Sequence, residues 1–218
     1  MIIKPVMSKA GVFDRFADEY EAWFEKNRLA YLSELEAIKK VLPEEGPGLE
    51  VGAGTGRFAI PLGIRQGVEP SDEMARIARQ KGLEIVKGVA ESLPFSDSSF
   101  GFVLMVTAIC FFDDVEAALS EAWRVLKPGG SLIIGFIDRE SPLGKAYQDR
   151  KKESQFYRES IFFSADEVVS LLKKFNFGNL YLLQTIFHFP GEIRELEPVK
   201  EGSGEGLFVV VRALKIWT

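Results

Sequence analysis

The sequence has very little cysteine and histidine, with one residue of each among 218. Cys110 has no partner within the chain for a disulfide, and one thiol with one imidazole is too few for the usual structural zinc site. We therefore expect a protein of a reducing compartment, the cytoplasm, with no bound metal. Long apolar runs are also missing, since none reaches the roughly 18 residues of a membrane span, and residues 1–5 show no export signal.

Positive charge is not in excess either. Lysine and arginine number 27 against 32 acidic residues, which gives a formal net charge of -5. Such a chain has no general attraction for nucleic acid or anionic membranes. The most basic stretch, residues 145–158, is interleaved with acids and indicates a solvated helix face. We expect neither nucleic acid nor membrane as a partner, and a small-molecule substrate bound by a monomer or homodimer.

The first part of the chain has a helical pattern. Apolar residues recur at helical spacing over residues 13–42, which predicts one long or broken helical segment. Proline and glycine in residues 43–48 end this pattern. We therefore divide the chain into an N-terminal helical cap, residues 1–45, and a core, residues 46–218.

Within the core, short apolar strands alternate with amphipathic helices, a pattern typical of a parallel sheet with helices on both faces. The pattern ends in two strands, near residues 180–189 and 207–214, that are predicted to pair as an antiparallel hairpin. The expected fold is α/β, a doubly wound, mostly parallel, seven-stranded sheet of Rossmann-like type. Residues 139–163, which are rich in aromatic side chains, are predicted to form an inserted cap segment.

A glycine-rich loop follows the first predicted strand, with Gly52, Gly54 and Gly56 in the sequence LEVGAGTG. Residues without side chains let a ligand approach the backbone at the end of a parallel strand. The dinucleotide fingerprint requires its third glycine one position later, where Arg57 stands, and this argues against NAD. By itself the loop is a weak signal, because glycine-rich turns also occur merely to connect a strand to a helix.

Acidic residues follow the next two predicted strands. Glu69 ends the second strand, where a carboxylate can accept both hydrogen bonds of a ribose diol. The alternative is a solvated acid next to a helix capped by Ser71 or Asp72. Glu91 follows the third strand and could meet an adenine edge, or belong to an ordinary surface loop.

Together these segments carry a family resemblance. Residues 49–56, 67–74, 88–100 and 124–130 resemble successive motifs of the UbiE-like small-molecule methyltransferases, in the same order, and residues 13–20 resemble the N-terminal cap of that family. The resemblance implies a class I methyltransferase fold with S-adenosylmethionine as methyl donor and S-adenosylhomocysteine as product.

The resemblance also implies roles for individual residues. Glu50 and the glycine loop would hold the methionine part of the cofactor, Glu69 the ribose, and Met74 would lie beneath the adenine. Tyr20 and Trp23 would close over the sulfonium, although packing within a helix explains them equally well. The implied cofactor-binding residues are Tyr20, Trp23, Glu50, Gly52, Ala53, Gly54, Gly56, Glu69, Pro70, Ser71, Met74, Ala90, Glu91 and Thr107.

One departure from the family pattern concerns the segment after the glycine loop. Only about a dozen residues separate Gly56 from Glu69, and Pro61 is among them. The helix predicted to start at Gly56 must therefore be short or irregular.

The sequence says less about the methyl acceptor. Transfer from a sulfonium needs alignment more than a protein nucleophile, so no catalytic residue is required. His188 is a candidate base, but a lone histidine is more often structural. Residues 107–110 lack the Asn/Asp-Pro-Pro-aromatic motif, which disfavours nucleobase and glutamine acceptors. A small-molecule nitrogen or oxygen acceptor, or a carbon acceptor, remains; the alternative is a non-catalytic cofactor-binding module with a regulatory or partner role.

Overall fold

A computed structural model describes residues 11–44 and 46–216; the sequence prediction for residues 1–5 lies outside these ranges. No described helix combines the length and the apolar character that crossing a membrane requires. The helices are α1 (Gly11–Arg15), α2 (Ala17–Lys26), α3 (Arg28–Lys39), α4 (Asp72–Gln80), α5 (Val115–Val125), α6 (Pro142–Arg150) and α7 (Ala165–Lys174). The strands are β1 (Gly48–Val51), β2 (Gln66–Val68), β3 (Glu84–Val86), β4 (Phe100–Val106), β5 (Leu126–Ile137), β6 (Phe177–Thr185), β7 (Lys200–Glu201) and β8 (Phe208–Lys215).

The described strands form one sheet in the order β3-β2-β1-β4-β5-β8-β6-β7. The first five strands are parallel, and β8 pairs antiparallel with both β5 and β6. This confirms the predicted mostly parallel sheet with a C-terminal antiparallel hairpin. The described sheet has eight strands where seven were predicted. The additional strand is β7, which pairs with the edge of β6 over two residues and is too short to leave a periodic signal in the sequence.

Both faces of the sheet are buried, as a doubly wound fold requires. Along β4, Phe102 and Leu104 point into one apolar core, while Val103 and Met105 point into the other. Helices α2, α3 and α4 cover the first face, and α5 and α7 cover the second. Because β1, β2 and β4 are parallel, their carboxyl ends lie at the same edge of the sheet.

The segment after β1 differs from the prediction. Residues 54–63 form consecutive turns, not the helix predicted to begin at Gly56. The buried Glu50 carboxylate accepts a hydrogen bond from the Ala59 backbone N–H at 2.8 Å, and the Tyr31 hydroxyl donates to the Arg57 carbonyl at 2.5 Å. These contacts satisfy backbone groups that a helix would otherwise pair internally.

The predicted N-terminal helical segment is broken at Phe16 and Asn27 into three helices. Leu35 and Ile38 of α3 are buried in the same core as β8, and α3 contacts both β6 and β8. Within the inserted segment, residues 139–163, the helical part consists of α6 and the short 3-10 helix Lys151–Glu153.

Helix α7 starts with a capping box that offers a test of local stability. The Ser164 hydroxyl accepts from the Glu167 backbone N–H at 3.2 Å, and the Glu167 carboxylate accepts from the Ser164 N–H at 2.9 Å. We predict that Ser164→Ala lowers the free energy of unfolding by about 1 kcal/mol, measured by urea denaturation. Ser170→Ala, in the exposed part of the same helix, is the control and should change it by less than about 0.5 kcal/mol. Equal losses in the two variants would contradict this account of the cap.

Candidate functional site

The larger cavity, of about 370 Å³, lies at the free carboxyl ends of the parallel strands. Its walls come from the loops after β1, β2, β3 and β4 and from the N-terminal helices. The sequence-predicted residues that line it are Tyr20, Gly52, Gly54, Glu69, Pro70, Met74, Ala90, Glu91 and Thr107. Segments far apart in the sequence thus meet at one cavity.

The glycine loop needs its glycines for two physical reasons. Gly52 and Gly54 have φ angles of +72° and +54°, in the left-handed region that costs other residues energy. A Cβ at Gly52 would also lie 2.8 Å from the Ala108 Cβ, and one at Gly54 would lie 3.2 Å from the Tyr20 hydroxyl. The loop therefore brings backbone, not side chains, to the cavity wall.

Glu69 joins the ends of two strands. Its carboxylate accepts hydrogen bonds from the backbone N–H of Gly54 at 2.8 Å and of Ser71 at 2.8 Å, one on each oxygen. Burial raises the pKa of Glu69 to about 7, against the lowering effect of these two bonds and with a smaller raising effect from Asp14. Each oxygen keeps a further lone pair for a donor in the cavity.

The turn after the glycine loop is tied to helix α2 by charge. The Glu21 carboxylate pairs with Arg57 at 2.6 Å and with Lys81 at 2.7 Å, and it accepts a hydrogen bond from the Thr55 hydroxyl. These bonds to the cations lower the pKa of Glu21 against the opposing effect of its burial. The ion pairs fix α2 over the loop, which places Tyr20 at the cavity.

Some predicted site residues lie behind the cavity wall. Glu50 and Ala53 are buried, and burial raises the pKa of Glu50 well above its usual range. Ser71 caps α4 by accepting from the Met74 N–H at 3.2 Å. Gly56 also lies outside the lining, and Trp23 lines a second cavity instead.

The loop after β3 forms another part of the wall. Ala90 is buried, and Glu91 accepts hydrogen bonds from the backbone N–H of Asp113 at 2.8 Å and Asp114 at 3.2 Å. One Glu91 oxygen thus connects this loop to the start of α5. Sequence reasoning gave no cavity role to several other lining residues, which are Val68, Lys87, Val89, Val106, Ala108, Phe111 and Phe112.

An aromatic roof connects the N-terminal helices with the inserted segment. The ring of Phe13 contacts Phe111 edge-on at 5.0 Å and stacks on Phe156 at 5.7 Å between centroids. Tyr20 contacts Phe156 as well, at 6.3 Å. The Asp14 carboxylate accepts from the Ser71 hydroxyl at 2.6 Å, which fastens α1 to the start of α4. The roof therefore closes over the side of the cavity where β1 and β4 end.

A second, smaller cavity of about 60 Å³ lies beside the first. Thr107, the residue after β4, lines both cavities. Its φ angle is +48°, which is unusual for a β-branched residue, and its N–H donates to the Gly135 carbonyl at 2.7 Å. Backbone strain of this kind persists only where the surroundings impose it, and it is common at functional sites. Thr107 is thus a common wall of the two cavities.

Glu34 of α3 lines the second cavity, together with Trp23, Tyr147 and Tyr157. Burial raises the pKa of Glu34 to about 8. Within residues 11–44 and 46–216, no hydrogen bond or ion pair is found for its carboxylate. Sequence reasoning missed this residue, although a signal existed: Glu34 lies four residues from each of Ala30 and Ile38, both fully buried, on the inner face of the helix.

His188, the candidate base, lies elsewhere. Its side chain is 68% exposed, lines neither cavity, and places Nδ1 2.7 Å from the carboxylate of Glu197. This arrangement indicates a surface contact in the loop after β6. Since His188 lines neither cavity, the geometry gives no support to its candidate role as a base.

Comparison with known proteins identifies the chain. A family model described as a methyltransferase domain matches residues 49–134. A crystal structure from Thermotoga maritima is 56% identical, covers 94% of this chain and 99% of its own, and superposes with a TM-score of 0.92; it is described as an S-adenosylmethionine-dependent methyltransferase and possible histamine N-methyltransferase. The chain is a class I S-adenosylmethionine-dependent methyltransferase.

Two further relatives show how widely this methyltransferase sequence is shared. An uncharacterized protein of Methanocaldococcus jannaschii is 47% identical over 205 residues, 94% of this chain and 99% of the relative. A demethylmenaquinone methyltransferase of Chlorobaculum tepidum is 32% identical over 151 residues, 65% of this chain and 58% of the relative. The resemblance to UbiE-like enzymes is confirmed, and S-adenosylmethionine is the cofactor of this methyltransferase.

The half-buried carboxylate of Glu34 predicts a pH dependence of stability. Its pKa is about 8 in the folded protein against a reference value of 4.5, so the folded state holds the proton where the unfolded state has lost it. The free energy of unfolding should therefore fall as pH rises between these values, by at most about 1.4 kcal/mol per pH unit from this group.

We predict that Glu34→Gln removes this part of the slope, so that the variant gains stability over the parent protein between pH 6 and pH 8. Urea denaturation at several pH values measures the difference. Glu36→Gln on the exposed face of α3 is the matched control and should keep the parental slope. Parallel slopes for the parent and Glu34→Gln would show that Glu34 ionises freely in the folded state.

Proposed function

We propose that the protein transfers the methyl group of S-adenosylmethionine to a nitrogen or oxygen atom, or a carbon atom, of a small-molecule acceptor. The observation that carries this proposal is the pair of adjoining cavities that share Thr107. The larger one has the volume of a cofactor site, and the smaller one offers a separate space for an acceptor. Two binding spaces in contact are what a bimolecular transfer requires.

The residues of the larger cavity fit S-adenosylmethionine. The free lone pairs of the buried Glu69 carboxylate suit the two hydroxyl groups of a ribose. The apolar surface of Met74, with Ala90 nearby, suits an adenine ring, and the backbone at Gly52 and Gly54 suits the methionine end. We assign these roles to Glu69, Met74, Ala90 and the two glycines, and place Tyr20 near the sulfonium.

Four of the remaining predicted residues lie outside the cavity lining and would support the site without touching the cofactor. Glu50, Ala53 and Gly56 shape the loop, and Ser71 holds the start of α4. Pro70, Glu91 and Thr107 complete the wall. Trp23 would line the acceptor space and would not contact the sulfonium as predicted.

The bound cofactor supplies an electrophilic methyl group attached to a positively charged sulfur. The protein then needs only to align an acceptor and keep water away, because alignment alone can contribute several kcal/mol to the rate. Thr107 is placed to separate and orient the two molecules, and the aromatic roof around Phe13 and Phe156 is placed to exclude water. No covalent enzyme intermediate is required.

A nitrogen acceptor is the favoured choice among small molecules. The Thermotoga maritima relative is described as a possible histamine N-methyltransferase. The acidic net charge of -5 does not favour nucleic acid as a partner. We propose further that the protein acts in the cytoplasm, as a monomer or homodimer, and that residues 1–45 and 139–163 form a cap over the core, residues 46–218.

The assignment of Glu69 can be tested by calorimetric titration with S-adenosylmethionine and S-adenosylhomocysteine. We predict that Glu69→Ala weakens binding of both by about 1.5 to 3 kcal/mol, since hydrogen bonds to a charged group are lost. Glu84→Ala, at an exposed position of β3, is the control and should bind as the parent does. An unchanged dissociation constant in Glu69→Ala would remove Glu69 from the cofactor site, and tight binding of NAD alone would overturn the proposal.

The pKa of Glu69, raised to about 7 by burial, predicts how binding depends on pH. The ionised carboxylate is the better hydrogen-bond acceptor, so cofactor affinity should rise as pH increases through 7, by up to about tenfold between pH 6 and pH 8. Asp14 is the other acid that influences this group. In Glu69→Gln the rise should be absent; a rise of equal size in that variant would assign it to another group.

Turnover separates an enzyme from a non-catalytic binding module. Incubation with S-adenosylmethionine and a panel of amines, phenols and carboxylates should yield S-adenosylhomocysteine above the rate without acceptor. Tight cofactor binding without turnover on any member of the panel would favour the binding module.

A further inference from the structure

We infer that the second cavity binds the cationic nitrogen of a primary or secondary amine, with the Glu34 carboxylate as its counter-ion and the proton acceptor of the reaction. This inference rests on the proposed methyl transfer and names the class of acceptor. It assigns a binding and catalytic role to a residue of α3 that lies outside the methyltransferase-domain match at residues 49–134.

The lining of the second cavity indicates a cationic ligand. Glu34 is the one lining residue, among those that the structure describes, with a carboxylate, and neither lysine, arginine nor histidine is found beside it. The other walls are apolar or aromatic and include Trp23, Tyr147 and Tyr157. Glu34 is half-buried, and ionising a carboxylate that is removed from much of the solvent and has no donor or cation beside it is costly; a ligand that brings positive charge lowers that cost. Aromatic faces add further attraction for an ammonium group.

The neighbouring titratable groups do not compete for this role. Burial raises the pKa of Tyr147 to about 12 and that of Tyr157 well above its usual range, and the negative charge of Glu34 adds to both shifts. The Tyr31 phenol on α3 also has a raised pKa, mainly because the group is removed from solvent. These three phenols stay neutral near pH 7, and Cys110 near Tyr157 is buried. Glu34 is thus the group in this cavity that gains or loses a proton between pH 6 and pH 9.

The second cavity adjoins the larger one. Thr107 belongs to the walls of both cavities, so an amine bound near Glu34 lies beside the space assigned to the methyl donor. The volume of about 60 Å³ holds the equivalent of about four to six water molecules, which suits an amine head with a short carbon stem.

The proton balance explains why a carboxylate serves at this position. An ammonium nitrogen has no free electron pair, so one N–H bond must break before attack; the proton moves to a carboxylate oxygen of Glu34. The freed pair on nitrogen then forms the new N–C bond while the S–C bond breaks and its electron pair stays on sulfur. The sulfur becomes neutral, the product leaves as a methylated ammonium ion, and Glu34 returns its proton to solvent.

Calorimetry on the protein saturated with S-adenosylhomocysteine tests the inference. The probes are propylamine and 2-phenylethylamine, each compared with its neutral alcohol, 1-propanol and 2-phenylethanol. We expect at least one amine to bind at least tenfold more tightly than its alcohol. Glu34→Gln should abolish this preference, and Glu36→Gln, on the exposed side of α3, should retain it.

A second readout follows protons. Because Glu34 is mostly protonated at pH 7, binding of an ammonium ion should release close to one proton, seen as a heat that depends on the ionisation enthalpy of the buffer. This release should vanish in Glu34→Gln.

The outcomes separate this inference from the proposed function. Amines that bind no better than alcohols, or a preference that survives in Glu34→Gln, would overturn the amine site while S-adenosylhomocysteine binding stands. Loss of S-adenosylhomocysteine binding in the unmodified protein would instead overturn the proposed function. Glu34→Gln should keep the parental affinity for S-adenosylhomocysteine within about twofold, since Glu34 lines only the second cavity.

Discussion

The carboxylate of Glu69 is the contact on which the larger cavity depends. It holds the glycine loop after β1 through Gly54 and the start of α4 through Ser71, each at 2.8 Å. Ser71 in turn holds Asp14 of α1, so the roof is fastened to the same point. Without this carboxylate the loop, the helix and the cap would each lose their common support. Its burial raises its pKa to about 7, which shows that the arrangement keeps an acid in a position unfavourable to its charge.

A second constraint lies at the end of β4. Thr107 takes a left-handed backbone conformation that a threonine adopts only at a cost, and its N–H is held by Gly135 of β5. The turn directs the chain between two cavities and gives them a common wall.

The N-terminal helices serve both cavities and the core. Tyr20 of α2 reaches the larger cavity, and Trp23, three residues further, reaches the smaller one. On α3, Glu34 faces the smaller cavity between the buried residues Ala30 and Ile38. The smaller cavity is thus lined in part by the N-terminal helices, whereas the larger one lies mainly at the ends of the parallel strands.

The sequence by itself determined the parallel core, the antiparallel end of the sheet, the cofactor and most of the wall of its cavity. The fold follows from a local signal, the alternation of short apolar strands with amphipathic helices. The cofactor and the wall residues were implied by the resemblance of four segments, which include Gly52, Gly54 and Glu69, to a methyltransferase family. Only the tertiary structure decided that residues 54–63 form turns, because contacts from Glu50 and Tyr31 replace helical hydrogen bonds there. It also decided that Glu34 meets Tyr147 and Tyr157. A cavity between segments more than a hundred residues apart is set by how helices pack on the sheet, and no local pattern records that packing.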